Sequence, residues 1–190
     1  MQYALDNASI KASLDILALK HERIARAVAQ VGYPEERRRT HSFATLARIV
    51  VGQQISVSAA TSVNTKLLAS LGGDLTAEAV LRADETTLRS AGLSRQKVEY
   101  MRCLATAEAT QVLSLKALPR LSDDEAIRAI TQIKGFGDWS AHMYLMFSLG
   151  RPNIWPVGDL AVREGFKRIH GLEERPTIRQ LAELGVPYEP

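Results

Sequence analysis

Asp159 is the residue whose type and position give it the clearest chemical potential. It directly follows the turn Pro156-Val157-Gly158 and opens a predicted helix. A carboxylate at that position commonly caps the helix by accepting its first backbone amides. The helix N-terminus also stabilises the ionised form, so we expect Asp159 to be charged at neutral pH. A negative charge held near a sugar can stabilise a developing oxocarbenium ion or orient water. Asp159 is thus either a helix cap alone or a cap that also takes part in catalysis.

The segment Lys134-Gly135-Phe136-Gly137 joins two predicted helices and could bind an anion. Two glycines two positions apart permit positive φ and a tight reversal, and they leave backbone N–H groups uncovered. The first amides of the following helix lack intrahelical partners, and the helix dipole favours negative charge there. A DNA phosphate fits such a site, and Lys134 would add a positive charge. An ordinary packing corner between two helices has the same pattern.

The elements that must position these residues are predicted to be helices. Phe43, Leu46, Ala47 and Val50 follow helical spacing, and no run of alternating β-branched residues suggests a strand. The helix after Ser122 should reach Lys134, and the next should reach Gly150 and be buried all round, because it is almost entirely apolar. The predicted N-caps are Ser42, Asp84, Ser94, Ser122 with Glu125 in a capping box, Asp138, Asp159 and Thr177.

Composition excludes several classes of protein. A net charge of +3 and a pI near 9.1 are compatible with a polyanionic partner. The single cysteine, Cys103, cannot form an internal disulfide or supply an iron–sulfur cluster. No apolar run approaches the roughly 20 residues that span a bilayer, and the N-terminus has no signal-peptide pattern. We therefore expect a cytoplasmic monomer, nucleoid-associated if the source is bacterial.

Three sequence blocks together resemble the helix-hairpin-helix DNA glycosylase superfamily. The first is the hairpin from Ile130 to Ala141 with Trp155-Pro156-Val157-Gly158-Asp159-Leu160-Ala161-Val162 about twenty residues later. The others are the segment Ile49–Ser56, with Ala59 and Ala60 behind it, and, more loosely, Gly92–Lys97. The resemblance covers about Phe43 to Leu172 and is greatest to the 3-methyladenine DNA glycosylase II branch.

The resemblance assigns roles to individual residues. It places Asp159 at the superfamily's essential aspartate, and Gln54 where a side chain fills the gap left by a flipped base, although a polar surface residue is the alternative. Trp139 stands where strand-cutting members have a nucleophilic lysine, so a monofunctional glycosylase is implied. Gly135, Gly137 and Ser140 stand where family members offer amides to phosphate. The carbonyls of Thr131 and Ile133 stand where some members bind Na⁺ or K⁺.

The implied function is hydrolysis of the N-glycosidic bond of alkylated bases in duplex DNA, of the 3-methyladenine and 7-methylguanine type. Such a base must first be flipped out of the helix, and its removal leaves an abasic site for base excision repair. Trp139, Met143 and Trp155 are candidate walls of the base pocket, with packing in the core as the alternative for each. No cofactor is expected apart from the hairpin cation. The alternative function is a non-enzymatic helix-hairpin-helix DNA-binding module.

The expected architecture is all-α with two helical subdomains. Residues 40–149 should form a central subdomain that ends in the hairpin, and residues 1–39 with 150–190 should form a discontinuous terminal one. A DNA-binding cleft between them is implied, with Asp159 at its edge. Family members continue from a segment similar to Gly185–Pro190 into a further helix with aromatic residues, which this sequence lacks, so the resemblance leaves the completeness of the base pocket open.

Overall fold

The computed structural model describes residues 5–188, and this part of the chain contains eleven α-helices and no β-strand. The predicted all-α fold is confirmed. Two 3₁₀ turns occur at Leu118–Arg120 and Val186–Tyr188. The helices are α1 (Asn7–Lys20), α2 (Glu22–Val31), α3 (Phe43–Gly52), α4 (Val57–Ser70), α5 (Ala77–Arg82), α6 (Glu85–Ser90), α7 (Arg95–Ala109), α8 (Asp123–Thr131), α9 (Asp138–Phe147), α10 (Leu160–His170) and α11 (Ile178–Gly185).

The chain forms two compact units. The terminal unit comprises Met1–Arg38 with Leu145–Pro190, and the central unit comprises Arg39–Tyr144. The division therefore falls within α9, whereas the predicted subdomains kept all of α9 in the central one.

The central unit is built around α3 and α7. The stripe Phe43, Leu46, Ala47 and Val50 is at most 6% exposed, which confirms its predicted place in the core. Helix α7 packs against α3, α5 and α6. Burial of apolar surface on this scale is the main force that holds helices together. Other side chains with no exposed surface in this core include Leu67, Leu88, Met101, Leu104, Leu118 and Ile130.

In the terminal unit, α1 and α2 pack against each other, and α2 also contacts α10. Neither α1 nor α2 has a fully buried residue. The buried apolar positions of this unit include Phe166 on α10 and Leu181 on α11. Its core is therefore smaller than that of the central unit, and α10 and α11 provide much of it.

Most predicted caps are confirmed. Asp84, Ser94, Ser122, Asp159 and Thr177 each accept amides at the start of a helix, and Ser122 forms the predicted capping box with Glu125. Ser42 precedes α3, but its side chain makes no capping bond.

Three predictions about the hairpin helices are wrong. Helix α8 ends at Thr131, three residues before Lys134, because a turn precedes Gly135. Asp138 is the first residue of α9, and its predecessor Gly137 occupies the cap position, with its carbonyl accepting the amide of Ala141 at 3.1 Å. Helix α9 ends at Phe147 and not at Gly150.

Helix α9 is also not buried all round, contrary to the prediction. Ala141, Tyr144 and Leu145 have no exposed surface, and the Tyr144 hydroxyl pairs with His41 Nδ1 at 2.8 Å. The opposite side keeps partial solvent access. The half-buried apolar side chains of α9 are Trp139, Met143, Met146 and Phe147.

None of the described helices is long and apolar enough to cross a membrane.

Candidate functional site

The reversal between α8 and α9 depends on Gly135. Its φ is +94°, a backbone conformation that side-chain-bearing residues rarely adopt. The ring of Tyr100 lies where a side chain would be, since a Cβ on Gly135 would come within 2.1 Å of Tyr100 Cγ. The turn closes with the amide of Phe136 donating to the carbonyl of Ile133 at 3.0 Å. Gly135 thus allows both the turn and the close approach of Tyr100.

Gly137 has a different environment. It is exposed, its φ is not positive, and a Cβ there would meet nothing within 4 Å. Its position directly before α9 puts it among the amides that lack intrahelical partners. The absence of a side chain at Gly137 therefore keeps backbone open to solvent and serves no packing need.

Ser140 and Lys134 differ in how they could reach a phosphate. Ser140 is 2% exposed, and its hydroxyl accepts a hydrogen bond from Gln53 Nε2 at 3.2 Å. Lys134 is exposed and forms an ion pair with Glu99, which raises the pKa of the lysine. Lys134 would have to exchange this carboxylate for a phosphate, and an exposed ion pair of this kind contributes little stability.

The carbonyls predicted to face a monovalent cation belong to the last residue of α8, Thr131, and to Ile133. The carbonyl of Ile133 already accepts the amide of Phe136. A backbone carbonyl has two lone pairs, so this bond does not prevent it from facing a cation as well. The described residues contain no cluster of three His, Cys, Asp or Glu side chains that could hold a metal ion. The binding of a monovalent ion by this pair of carbonyls stays a prediction.

Gln54 lies in the turn between α3 and α4 and has an unusual backbone. Its φ is +58°, in the left-handed region, and its side chain is exposed. Such a conformation in a residue other than glycine costs about 1–3 kcal/mol and persists only where its surroundings hold it. Ile55 and Val57 beside it are 39% and 86% exposed. The turn therefore presents Gln54 to solvent together with apolar neighbours.

Sequence reasoning did not single out the residues that hold this turn. Gln53 Nε2 donates to the carbonyl of Gly135 at 2.9 Å, and Lys97 Nζ donates to the carbonyls of Val51 and Gln53, each at 2.7 Å. Both polar residues fall within blocks of the family resemblance, which was the available signal. Their partners are distant in sequence, so the pattern alone gave no role.

Asp159 caps α10 as predicted. Its Oδ1 accepts the amides of Ala161 at 2.8 Å and Val162 at 3.0 Å. Its own amide donates to the carbonyl of Pro156 at 2.9 Å, which closes the preceding turn. Both capping bonds use one carboxylate oxygen, and together with the turn they fix the position and direction of the side chain.

Trp155 lies in the same unit as Asp159 and packs against α11. Its Nε1 donates to the carbonyl of Leu181 at 3.0 Å, and its ring meets that of Phe166 edge-on at 6.3 Å. A Cβ on Gly185 would come within 2.1 Å of Trp155 Nε1, so the indole lies directly on this glycine. Trp155 thus attaches the loop before Asp159 to α11 while staying 38% exposed.

Trp139 and Met143 lie on α9, within the central unit. They are four residues apart on α9, so they share one helix face, and both are half-buried. An aromatic ring and a thioether side by side form the kind of apolar wall on which a flat ring can rest. The structure therefore places them as neighbours, and their role as pocket walls stays a prediction.

Comparison with known proteins identifies the family. Residues 47–190 match the family described as "HhH-GPD superfamily base excision DNA repair protein". The chain is 32% identical over 149 residues to DNA-3-methyladenine glycosylase 1 of Schizosaccharomyces pombe, a match that covers 75% of this chain and 65% of that protein. It is 27% identical to a putative DNA-3-methyladenine glycosylase of Bacillus subtilis, over 75% of this chain and 52% of that protein. The chain thus spans between half and two thirds of these relatives.

Solved structures agree with the sequence comparison. The structure of the S. pombe 3-methyladenine DNA glycosylase in complex with abasic DNA superposes with a TM-score of 0.87 at 29% identity, covering 94% of this chain and 90% of that one. The 3-methyladenine DNA glycosylase of Archaeoglobus fulgidus superposes with a TM-score of 0.76 at 25% identity, covering 96% and 64%. The chain belongs to the HhH-GPD superfamily of base excision DNA repair proteins.

Proposed function

We propose that this protein is a monofunctional DNA glycosylase that hydrolyses the N-glycosidic bond of alkylated bases in duplex DNA and leaves an abasic site. The observation that carries the proposal is the fixed carboxylate of Asp159, held by two backbone amides at the start of α10. Membership of a base excision repair family supports it. So does the similarity to proteins named DNA-3-methyladenine glycosylases. The partner would be damaged duplex DNA, bound by a monomer in the cytoplasm, at the nucleoid if the source is bacterial.

The reaction needs little beyond a negative charge and a water molecule. An N3- or N7-alkylated purine carries positive charge on its ring. When the bond from C1′ to the base nitrogen breaks, both electrons go to the base, which leaves neutral. The sugar then carries the positive charge. The Asp159 carboxylate either stabilises this charge or orients the water that attacks the sugar. Water bonds to C1′ and loses a proton to the medium or to the carboxylate, which leaves a hydroxylated abasic sugar.

DNA must be held while the base leaves the helix. Backbone amides around Gly135, Gly137 and Ser140 would bind a phosphate without reading sequence, with Lys134 adding charge. The carbonyls of Thr131 and Ile133 would hold a structural monovalent cation on the hairpin. Base flipping costs a few kcal/mol, least at weakened pairs, which contributes to lesion selectivity.

Gln54 and the aromatic residues complete the proposed site. The exposed, left-handed Gln54 would fill the gap that the flipped base leaves. Trp139 and Met143 would offer an apolar wall to the base, because electron-rich rings attract a cationic one, and Trp155 is proposed for the same role. An indole at position 139 cannot form a Schiff base with the sugar, so strand cleavage is not expected.

The decisive experiment replaces Asp159 with asparagine. Asn caps helices about as well as Asp, so Asp159→Asn should keep the fold and the affinity for duplex DNA. It removes the charge, and we expect release of 3-methyladenine and 7-methylguanine to fall by at least about 100-fold. Base release from methylated duplexes, followed by chromatography, measures the effect.

Two outcomes would contradict the proposal. Base release by Asp159→Asn at the wild-type rate would remove the aspartate from the chemistry. Duplex binding by the wild-type chain with no base release from any lesion would favour a non-enzymatic DNA-binding module, in which Asp159 only caps α10. Strand cleavage, or borohydride trapping of the purified protein on DNA, would overturn the monofunctional assignment.

A further inference from the structure

The side chain of Gln53 bonds the turn that presents Gln54 to the hairpin. Gln53 Nε2 donates to the carbonyl of Gly135 at 2.9 Å and approaches the Ser140 hydroxyl at 3.2 Å. The carbonyl accepts only, so the amide nitrogen of Gln53 must face it. Gln54 follows directly in the chain, with its φ of +58°. Gln54, the candidate for filling the gap, therefore directly follows a residue that bonds to the hairpin, the candidate phosphate site.

Lys97 holds the same turn from α7. Its ammonium donates to the carbonyls of Val51 and Gln53, each at 2.7 Å, so it satisfies backbone acceptors at the end of α3. Lys97 is half-buried, and burial lowers its pKa. Both hydrogen bonds of the Lys97 ammonium are to carbonyls at this turn. A positive charge at a helix C-terminus is stabilising because it opposes the helix dipole.

Helix α7 also contacts the hairpin. Tyr100, three residues after Lys97 and so on the same side of α7, covers Gly135 with its ring. Gln96, one turn before Tyr100, donates through Nε2 to the Tyr100 hydroxyl. One helix thus holds the Gln54 turn with Lys97 and the hairpin with Tyr100, and Gln53 joins the two directly.

We propose that Gln53 and Lys97 are positioning residues that fix Gln54 relative to the hairpin amides, so that phosphate binding and gap filling act as one rigid unit. The inference rests on the proposed function for the roles of Gln54 and the hairpin. A side chain that fills a gap in a base stack must be at a set distance from the anchored phosphate. A misplacement of about 1 Å can cost a factor of about 100 in a step that depends on such geometry. The left-handed backbone at Gln54 needs holding, and Gln53 and Lys97 provide the bonds on its N-terminal side.

The test measures gap filling without catalysis. Two duplexes of the same sequence are used, one intact and one with a tetrahydrofuran abasic analogue, and the ratio of their dissociation constants is taken at fixed salt. Phosphate binding contributes equally to both, so the ratio reports the gap-filling side chain. We expect Gln54→Ala to lower this preference, and Gln53→Met to lower it by about ten-fold while intact-duplex affinity changes by less than about three-fold.

The sharpest readout is the double variant. If Gln53 acts through Gln54, then Gln53→Met with Gln54→Ala should show no greater loss of preference than the worse single variant, since coupled residues are not additive. Lys97→Met should resemble Gln53→Met, and Lys97→Arg, which keeps two donors, should restore the preference. Where one Met variant unfolds in a thermal melt, the other tests the same point.

Matched controls come from the same unit. Gln132 also donates its side-chain amide to backbone carbonyls, those of Val112 and Ala129, and Gln132→Met should leave the preference unchanged. Lys116→Met also removes one positive charge, but from an exposed position, and it should act on both duplexes alike.

The outcomes separate the two proposals. Additive losses in the double variant, or equal losses on both duplexes, would make Gln53 a general structural residue and overturn the inference. A wild-type chain with no preference for the abasic analogue would overturn it as well, even if bases are released. A wild-type chain that prefers the analogue but releases no base would contradict only the proposed catalysis.

Discussion

Glycine serves a different structural purpose at each of the two hairpin positions, Gly135 and Gly137. Gly135 combines a φ of +94° with a tyrosine ring in the space that a side chain would occupy. Gly137 has ordinary φ and open space around it. Sequence alone treats the two as equivalent, because both read as residues that permit a tight turn. The structure assigns the turn to Gly135 and leaves backbone exposure as the reason for Gly137.

Substitution by alanine should therefore affect mainly the stability of the protein at Gly135 and mainly its binding to DNA at Gly137. Gly135→Ala should lower the free energy of unfolding by about 2–4 kcal/mol, because the left-handed backbone is strained and Tyr100 must move. Gly137→Ala should change the free energy of unfolding by less than about 1 kcal/mol and weaken binding to intact duplex, because its methyl group covers the candidate phosphate amides. Urea unfolding and fluorescence anisotropy measure the two effects. Equal destabilisation by both substitutions would contradict this assignment.

Asp159 combines an observed structural role with a proposed chemical one. The capping bonds position the carboxylate, and the proposed reaction uses its charge. The Asn variant separates these roles because it keeps the acceptor oxygen and removes the charge. Alanine at this position would remove both at once and so would not discriminate between them.

At the scale of elements, the indole of Trp155 attaches the loop before α10 to α11. Trp155 lies on Gly185 and donates to the carbonyl of Leu181. Helix α11 has a short span of eight residues, and isolated helices of that length are unstable in water. Tertiary contacts, including the one with Trp155, therefore contribute to keeping it folded.

Gly185→Ala should destabilise the protein despite the better helix propensity of alanine. The added Cβ would come within 2.1 Å of Trp155 Nε1, so the indole must move and its bond to Leu181 is lost. We expect a loss of about 1–3 kcal/mol, with a change in tryptophan fluorescence. Gly165→Ala on α10 is the matched control, because a Cβ there meets nothing within 4 Å. It should be neutral or stabilise by up to about 1 kcal/mol, and destabilisation of similar size at both positions would argue against the Trp155 contact.

At the scale of the whole molecule, stability should depend on pH through a histidine cluster in the terminal unit. His170 stacks on Phe166 at 4.0 Å, and its Nε2 is 3.1 Å from the Tyr188 hydroxyl. Burial lowers the pKa of His170 below its ordinary value of 6.5, and the charges of Arg23 and His21 lower it further. The folded state therefore favours the neutral imidazole.

This direction sets the sign of the pH effect. Above pH 6.5, the ordinary pKa of histidine, His170 is neutral in both the folded and the unfolded chain. Its contribution to the free energy of unfolding is then fully present. As pH falls below that value the unfolded chain binds the proton first, so stability is lost until pH reaches the lower, folded-state pKa. Thermal melts between pH 7.5 and about pH 5 should show a falling melting temperature. His170→Gln should flatten this part of the curve, and an unchanged slope in that variant would contradict the role of His170.

Local interactions are what the sequence by itself determined. The caps of Asp84, Ser94, Ser122, Asp159 and Thr177 follow from hydrogen bonds across two or three residues, so spacing encodes them directly. Apolar periodicity likewise gave the all-helical fold and the buried face of α3, and the motif blocks gave the family. Helix ends around the hairpin were predicted less well, because the turn conformation there depends on packing against Gly135 as well as on the local sequence.

Contacts between distant parts of the chain were decided only by the tertiary structure. Gln53 and Gly135 are 82 residues apart, and Lys97 is 46 and 44 residues from the two carbonyls that it binds. No spacing rule relates such positions, because their meeting depends on how α3, α7 and the hairpin pack in three dimensions. The partial exposure of α9 has the same origin, since an apolar sequence does not say which of its faces the rest of the chain covers. Sequence therefore identified the residues with chemical potential, and packing decided how they are held.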